Sequence, residues 1–227
     1  MKALRLVLLL LTALSSQAQG PLRPALKREL DSIYTTDQRY RLMLFDPHHR
    51  RRPDSLARVL GVTRESLQDQ LYRRMVQTDS SNLLRVRAII RQYGYPGKSL
   101  VGSPTNETAW LVVQHSDEID TYLPLVKKAA ERGELPYYLY AQMLDRQLMR
   151  KGKEQLYGTQ GFGYSPVNPS TGLREAQPPF IWPIKDPAKV NERRRKAGFD
   201  TTVEQSATRL GIPYRVVTLE EVAKMPK

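Results

Sequence analysis

The sequence predicts a mainly α-helical single domain with a small β-element in its last third. Three observations predict it. From Pro24 to about residue 150 the apolar residues recur three and four apart, the spacing of one helix face. Glycines and prolines punctuate that stretch where helices must stop and start. From Gln155 to Pro179 the texture changes to Gly, Pro, Asn, Ser and aromatics, which favours loops and short strands.

Leu26, Leu30, Ile33 and Leu44 define a helix from Pro24 to about Phe45, followed by a Pro- and Arg-rich joint over Asp46 to Asp54. A short turn of helix ends near Gly61. Thr63 is placed to cap the next helix, with Leu67, Leu71 and Met75 inward. Asp79 and Ser80 can start another, carried by Leu83, Val86, Ile89 and Ile90 and stopped at Gly94-Tyr95-Pro96-Gly97. Ser103 and Pro104 open a helix over Ala109 to His115. Gly133 closes the one after it, and Pro136 begins an apolar helix ending at Gly152. Phe180-Ile181-Trp182 reads as a strand that Tyr157–Phe162 can pair with across a long loop. Asp186-Pro187 starts a helix running to Gly198, and a further one ends near Gly211. Tyr214–Val217 reads as one more strand, and Thr218 with Glu221 forms a capping box for a short last helix.

The first 18 residues have the layout of a secretory signal peptide. Lys2 and Arg5 form a positive start, Leu6 to Leu14 an apolar stretch too short to span a bilayer, and Ser16-Gln17-Ala18 a cleavage site. The expected organisation is therefore a leader over 1–18, a helical domain over 19–198 and a C-terminal extension over 199–227 packed on it. No later segment approaches a transmembrane run, so an exported, soluble protein is expected, periplasmic or secreted. The chain has no cysteine, which excludes disulfides, a thiol nucleophile and thiolate metal sites. The formal net charge is +13, and cleavage of the leader removes only Lys2 and Arg5 from it. Such charge suits an anion. Export argues against nucleic acid and for an envelope component, a lipid head group or an acidic polysaccharide. The densest basic run is His48-His49-Arg50-Arg51-Arg52, which reads first as a solvated linker.

Three places put polar groups on apolar helix faces. Asp37 lies four residues after Ile33, Gln114-His115 follows the run Ala109 to Val113, and Asp145 sits between Ala141 and Leu148. A buried carboxylate left alone is strongly destabilising, so Asp37 and Asp145 each require a cation or several donors, with Arg41, Arg146 or His115 available.

Gly94-Tyr95-Pro96, Gln114-His115, Asp145-Arg146 and Tyr157-Gly158-Thr159-Gln160 occur in that order, with Asp37-Gln38 and Arg41 upstream and Asp186-Pro187 and Arg193-Arg194 downstream. Together they resemble an uncharacterised bacterial domain family with the ordered motifs GWP, QH, DR and YGTQ, over roughly Leu26 to Gly198. Tyr95 departs from the expected tryptophan, and the 46–54 joint and the Gly161–Pro179 stretch are long. The resemblance implies a shared fold and shared polar positions but no reaction.

Two functions fit these residues. In a binding or scaffold module, Asp37, Gln114, Tyr157, Thr159 and Gln160 contact a ligand or form a buried network; this reading leads, because a histidine ending an apolar helix is usually a satisfied core residue. In a hydrolase or transferase, His115 is the general acid/base, Asp145 orients it and Arg146 holds an anionic group. No phosphate-loop, nucleophile-elbow or zinc-protease signature is present. One isolated histidine makes a poor metal site, and no cofactor is implied. Tyr137, Tyr138 and Tyr140 read as packing in preference to a sugar platform, and Arg193-Arg194 as charges favouring their helix C-terminus.

Overall fold

The computed structural model describes residues 22–46 and 53–225. The expected leader and the His48–Arg52 run lie outside them. Among the described residues there are ten α-helices and one two-stranded sheet. They run α1 (Pro24–Phe45), α2 (Pro53–Leu60), α3 (Leu67–Tyr93), α4 (Lys98–Val101), α5 (Thr108–Gln114), α6 (Ile119–Glu131) and α7 (Tyr137–Arg150). Then come β1 (Gly161–Phe162), β2 (Phe180–Ile181), α8 (Val190–Lys196), α9 (Val203–Arg209) and α10 (Leu219–Ala223). The mainly α class is as the spacing predicts. None of the described helices is long and apolar enough to cross a membrane.

The main core joins α1, α3, α5, α6 and α7 through Leu30, Ile33, Val86, Val113, Val126 and Met143. Leu30 and Ile33 are completely enclosed, each contributing about 1.5–3 kcal/mol of burial. Trp110 of α5 is tied to α7 by its indole N–H, which donates to the Leu139 carbonyl at 2.8 Å. A second cluster, Ile181, Ile184, Val190, Val203, Ala207 and Ile212, holds α8 and α9 against β2. A smaller one of Ala57, Leu67 and Leu71 seats α2 beside α1 and α3.

Three elements differ from their sequence reading. The helix expected to begin at Asp79-Ser80 is the second half of α3, which runs unbroken from Leu67 to Tyr93. Asp79 is recruited by Arg41 of α1 instead of capping, and the Ser80 hydroxyl bonds back to Val76 O. The strand partner of β2 is only Gly161–Phe162, antiparallel with Gly161 opposite Ile181. Tyr214–Val217 is extended but unpaired; Val217 is buried against Phe180 and Trp182, so side-chain packing fixes it. The Thr218–Glu221 capping box forms as expected, and a second one, Thr202 with Gln205, caps α9.

Candidate functional site

The polar residues singled out from the sequence separate into a cluster around Asp37, a clamp around Asp145 and a cavity between them marked by Arg146.

Asp37, on the inward face of α1, is almost fully buried. Its Oδ2 accepts from Gln38 Nε2 at 2.7 Å, and its Oδ1 lies 3.4 Å from both Arg41 Nη1 and His115 Nδ1. Arg41 also grips Asp79 of α3 with both terminal nitrogens, at 2.8 and 2.7 Å. The buried carboxylate thus has the cation it requires, and two helices are pinned by a forked pair. His115 caps the end of α5 with its side chain 18% exposed. It lines a depression of about 580 Å³ together with Arg41, Asp79, Leu83, Glu118 and Arg146.

Asp145 does something other than orient His115. Its carboxylate has no exposure, and it accepts from the backbone N–H groups of Leu156 (2.7 Å), Tyr157 (3.1 Å) and Thr159 (3.1 Å) and from Thr159 Oγ1 (3.0 Å). Burial pushes its pKa up, and these donors pull it down against that trend. The position beside His115 belongs to Asp37. Gly158 lets the loop curl around the carboxylate: its φ is +67°, and a Cβ there would lie 2.5 Å from Val203 Cγ2.

The carbonyls of the same loop are taken by α8. Arg193 Nε donates to Leu156 O at 2.9 Å and Arg194 Nη1 to Tyr157 O at 2.8 Å. Arg194 is 1% exposed, bonds Thr201 through its backbone oxygen and hydroxyl, and lies over the Phe199 ring at 4.3 Å. This pair of arginines sits in the last turn of α8, as the sequence reading has it, and from there also braces the loop. Gln155, absent from the sequence reading, is fully buried and bonds Gln160 N, Gln160 O and Trp182 O, locking the loop to β2. Nothing local marks it; its two partner residues, Gln160 five positions on and Trp182 beyond the long loop, give it its role.

The cavity, of about 630 Å³, is lined by Gln114, Tyr138, Gln142, Arg146, Gln160 and Phe199, with Asp200 and Arg209 on its rim. Arg146 lies on the wall of both depressions. Its buried Nε has no hydrogen-bond partner, and its Nη1 is 3.5 Å from Gln114 O. Among the described residues no carboxylate pairs with it. Burial, with Arg150 and Arg41 nearby, holds its pKa below the usual arginine value. Gln114 is nearly buried, and no described group bonds its carboxamide or that of Gln142. Gln160 Nε2 bonds Thr159 Oγ1 at 2.9 Å. Tyr157 packs 5.9 Å from Phe199, and burial pushes its phenol up to about 12. Tyr140 is core, and Tyr138 is half-buried on the cavity wall.

Fold and site thus define a helical domain with a polar cavity, a guanidinium that no carboxylate pairs with among the described residues, and a histidine–aspartate pair in the neighbouring depression. The chain belongs to the family of unknown function DUF6624, whose model matches residues 60–210. The match takes in His115, Arg146 and the Asp145 clamp, begins after α1 and Asp37, and runs past Gly198 through α9. A search of curated proteins and one of solved structures found no match.

Proposed function

We propose that this protein is an exported binding module that takes an anionic group at Arg146. The observation that carries the reading is the state of that guanidinium. Buried cations in proteins are paired, and buried N–H groups find acceptors. Arg146 has neither a carboxylate nor an acceptor for its Nε, and it borders open space on two sides. An anion in either space supplies the missing counter-charge through the terminal nitrogens. The signal-peptide layout and the net charge of +13 support a role at the cell envelope, where lipid phosphates and acidic polysaccharides are the available anions. The test is calorimetric titration of the mature protein with inorganic phosphate and with sulfate. Binding by the parent chain and its loss in Arg146→Gln supports the reading; equal binding by both overturns it. Export is tested separately, by fractionating cells that express the full chain.

A hydrolase or transferase is the second reading, favoured by one observation: His115 Nδ1 faces buried Asp37 on the wall that also carries Arg146. A carboxylate there fixes the tautomer and leaves the other ring nitrogen for proton transfer. Asp37 takes the orienting role and Arg146 the anion-holding role. In this reading His115→Asn abolishes turnover and leaves anion binding intact.

A further inference from the structure

We infer that the ligand of the larger cavity is a sugar carrying an anionic group, a carboxylate or a phosphate. The inference rests on the proposed anion site at Arg146 and adds what surrounds it. Three features of the cavity wall carry it.

The first is the pair of unpartnered carboxamides. Gln114 is 8% exposed and Gln142 half-buried, and the side chain of neither makes a hydrogen bond within the described residues. A carboxamide both donates and accepts, which matches a hydroxyl group that does the same. Two of them beside a third, Gln160, suit a ring bearing several hydroxyls better than they suit a bare ion.

The second is the aromatic wall. Tyr138 and Phe199 stand 5.9 Å apart with their rings 55° from parallel. Arg194 and Tyr157 already pack on Phe199, so the half-buried Tyr138 is the aromatic side chain left on the wall to meet the C–H face of a saturated ring. Tyr138 packs against the main core, as the sequence reading has it, and its half-exposed remainder lines the cavity.

The third is charge and size. Arg146 is the lining cation with no carboxylate partner among the described residues, whereas the guanidinium of Arg194 is committed to Tyr157 and Thr201. Asp200, the carboxylate on the rim, lies 3.9 Å from Arg209. One anionic group per ligand is what the wall can neutralise. The volume of about 630 Å³ lies within the about 300–1,000 Å³ of small-molecule sites and leaves room for a ring beside that group.

The experiment is calorimetric titration of the mature chain with D-glucuronate, D-galacturonate, D-glucose 1-phosphate, D-glucose 6-phosphate, neutral D-glucose and inorganic phosphate. At least one acidic sugar is expected to bind at least tenfold tighter than both glucose and phosphate. The uronates and the sugar phosphates separate the two sources of charge. Gln142→Ala, which strands no partner, should weaken that sugar at least fivefold and leave phosphate unchanged; Arg146→Gln should weaken both. If phosphate binds as tightly as every acidic sugar, the sugar inference fails and the anion site stands. If glucose matches the acidic sugars, or Gln142→Ala changes nothing, the inference also fails. If no anion binds at all, both readings fail together.

Discussion

Replacing Asp145 with alanine removes the acceptor for three backbone N–H groups and one hydroxyl at once. The Thr159 hydroxyl still accepts from Gln160 Nε2 but, like the N–H groups of Leu156, Tyr157 and Thr159, loses the acceptor for its proton. A stranded buried donor costs about 1–3 kcal/mol. A simple sum is too large on two counts: the loop relaxes, and deleting a carboxylate with no exposure also removes the cost of having buried it. The net expectation is a loss of about 3–5 kcal/mol, the range seen when one partner of a buried charged interaction is removed. In urea, with a slope of about 2 kcal/mol per molar, the unfolding midpoint falls by about 1.5–2.5 M. Asp145→Asn keeps the shape and one acceptor oxygen but turns an NH₂ group toward donors, so it should fall between the parent and alanine. A midpoint shift below about 0.5 M for Asp145→Ala would refute the clamp as a stabilising feature.

Gly158→Ala puts a side chain at φ +67° and a Cβ against Val203 and Ile184. The backbone alone costs about 1–2 kcal/mol, so a larger loss is expected, read by denaturation. Arg41→Ala leaves Asp37 buried without its cation and should cost about 3 kcal/mol, with Arg41→Lys recovering only part because an ammonium cannot fork onto Asp79; equal stabilities for the two variants would count against the forked pair. Burial raises the Glu107 carboxyl above its ordinary 4.5. Between pH 4.5 and the raised value the folded chain holds more protons than the unfolded one, so stability from this group falls as pH rises through that window. Glu107→Gln should therefore gain on the parent in Tm between pH 4 and pH 7, and parallel Tm–pH curves would contradict it.

Helix positions were legible because each rests on local chemistry: an apolar stripe, a stop at Gly94 or Gly133, a capping box at Thr218. The need for partners at Asp37 and Asp145 was legible for a similar reason, since one helix face carries both the apolar run and the carboxylate. The partners themselves were not. Asp79 carries the local signature of a cap, yet Arg41, 38 positions away, holds it in mid-helix. Arg194 looks like no more than a charge at a helix end until Tyr157, 37 positions upstream, offers its carbonyl. His115 has two inward carboxylates within the domain, and only the packing of α1 against α5 decides that Asp37 is the neighbour. Which side chains share the cavity was hidden likewise, because Gln114, Gln142 and Phe199 come from separate segments.

The loop over 156–159 is held from both ends of its peptide dipoles: an acid takes its N–H groups, and two bases take its carbonyls. Asp145 and Arg193 thus hold the two ends of one peptide unit, Tyr157 N–H and Leu156 O, and Arg194 takes the next carbonyl. None of the three can be withdrawn without stranding the backbone groups it holds. A fragment ending at Gly152 keeps most of the helical core yet carries a stripped carboxylate at its heart, and a fragment beginning there keeps Arg194 on Tyr157 and Thr201 but leaves three backbone N–H groups without their acceptor. The molecule cannot be trimmed to a smaller folding unit at this joint, so the main core and the cluster of β2, α8 and α9 should melt as one.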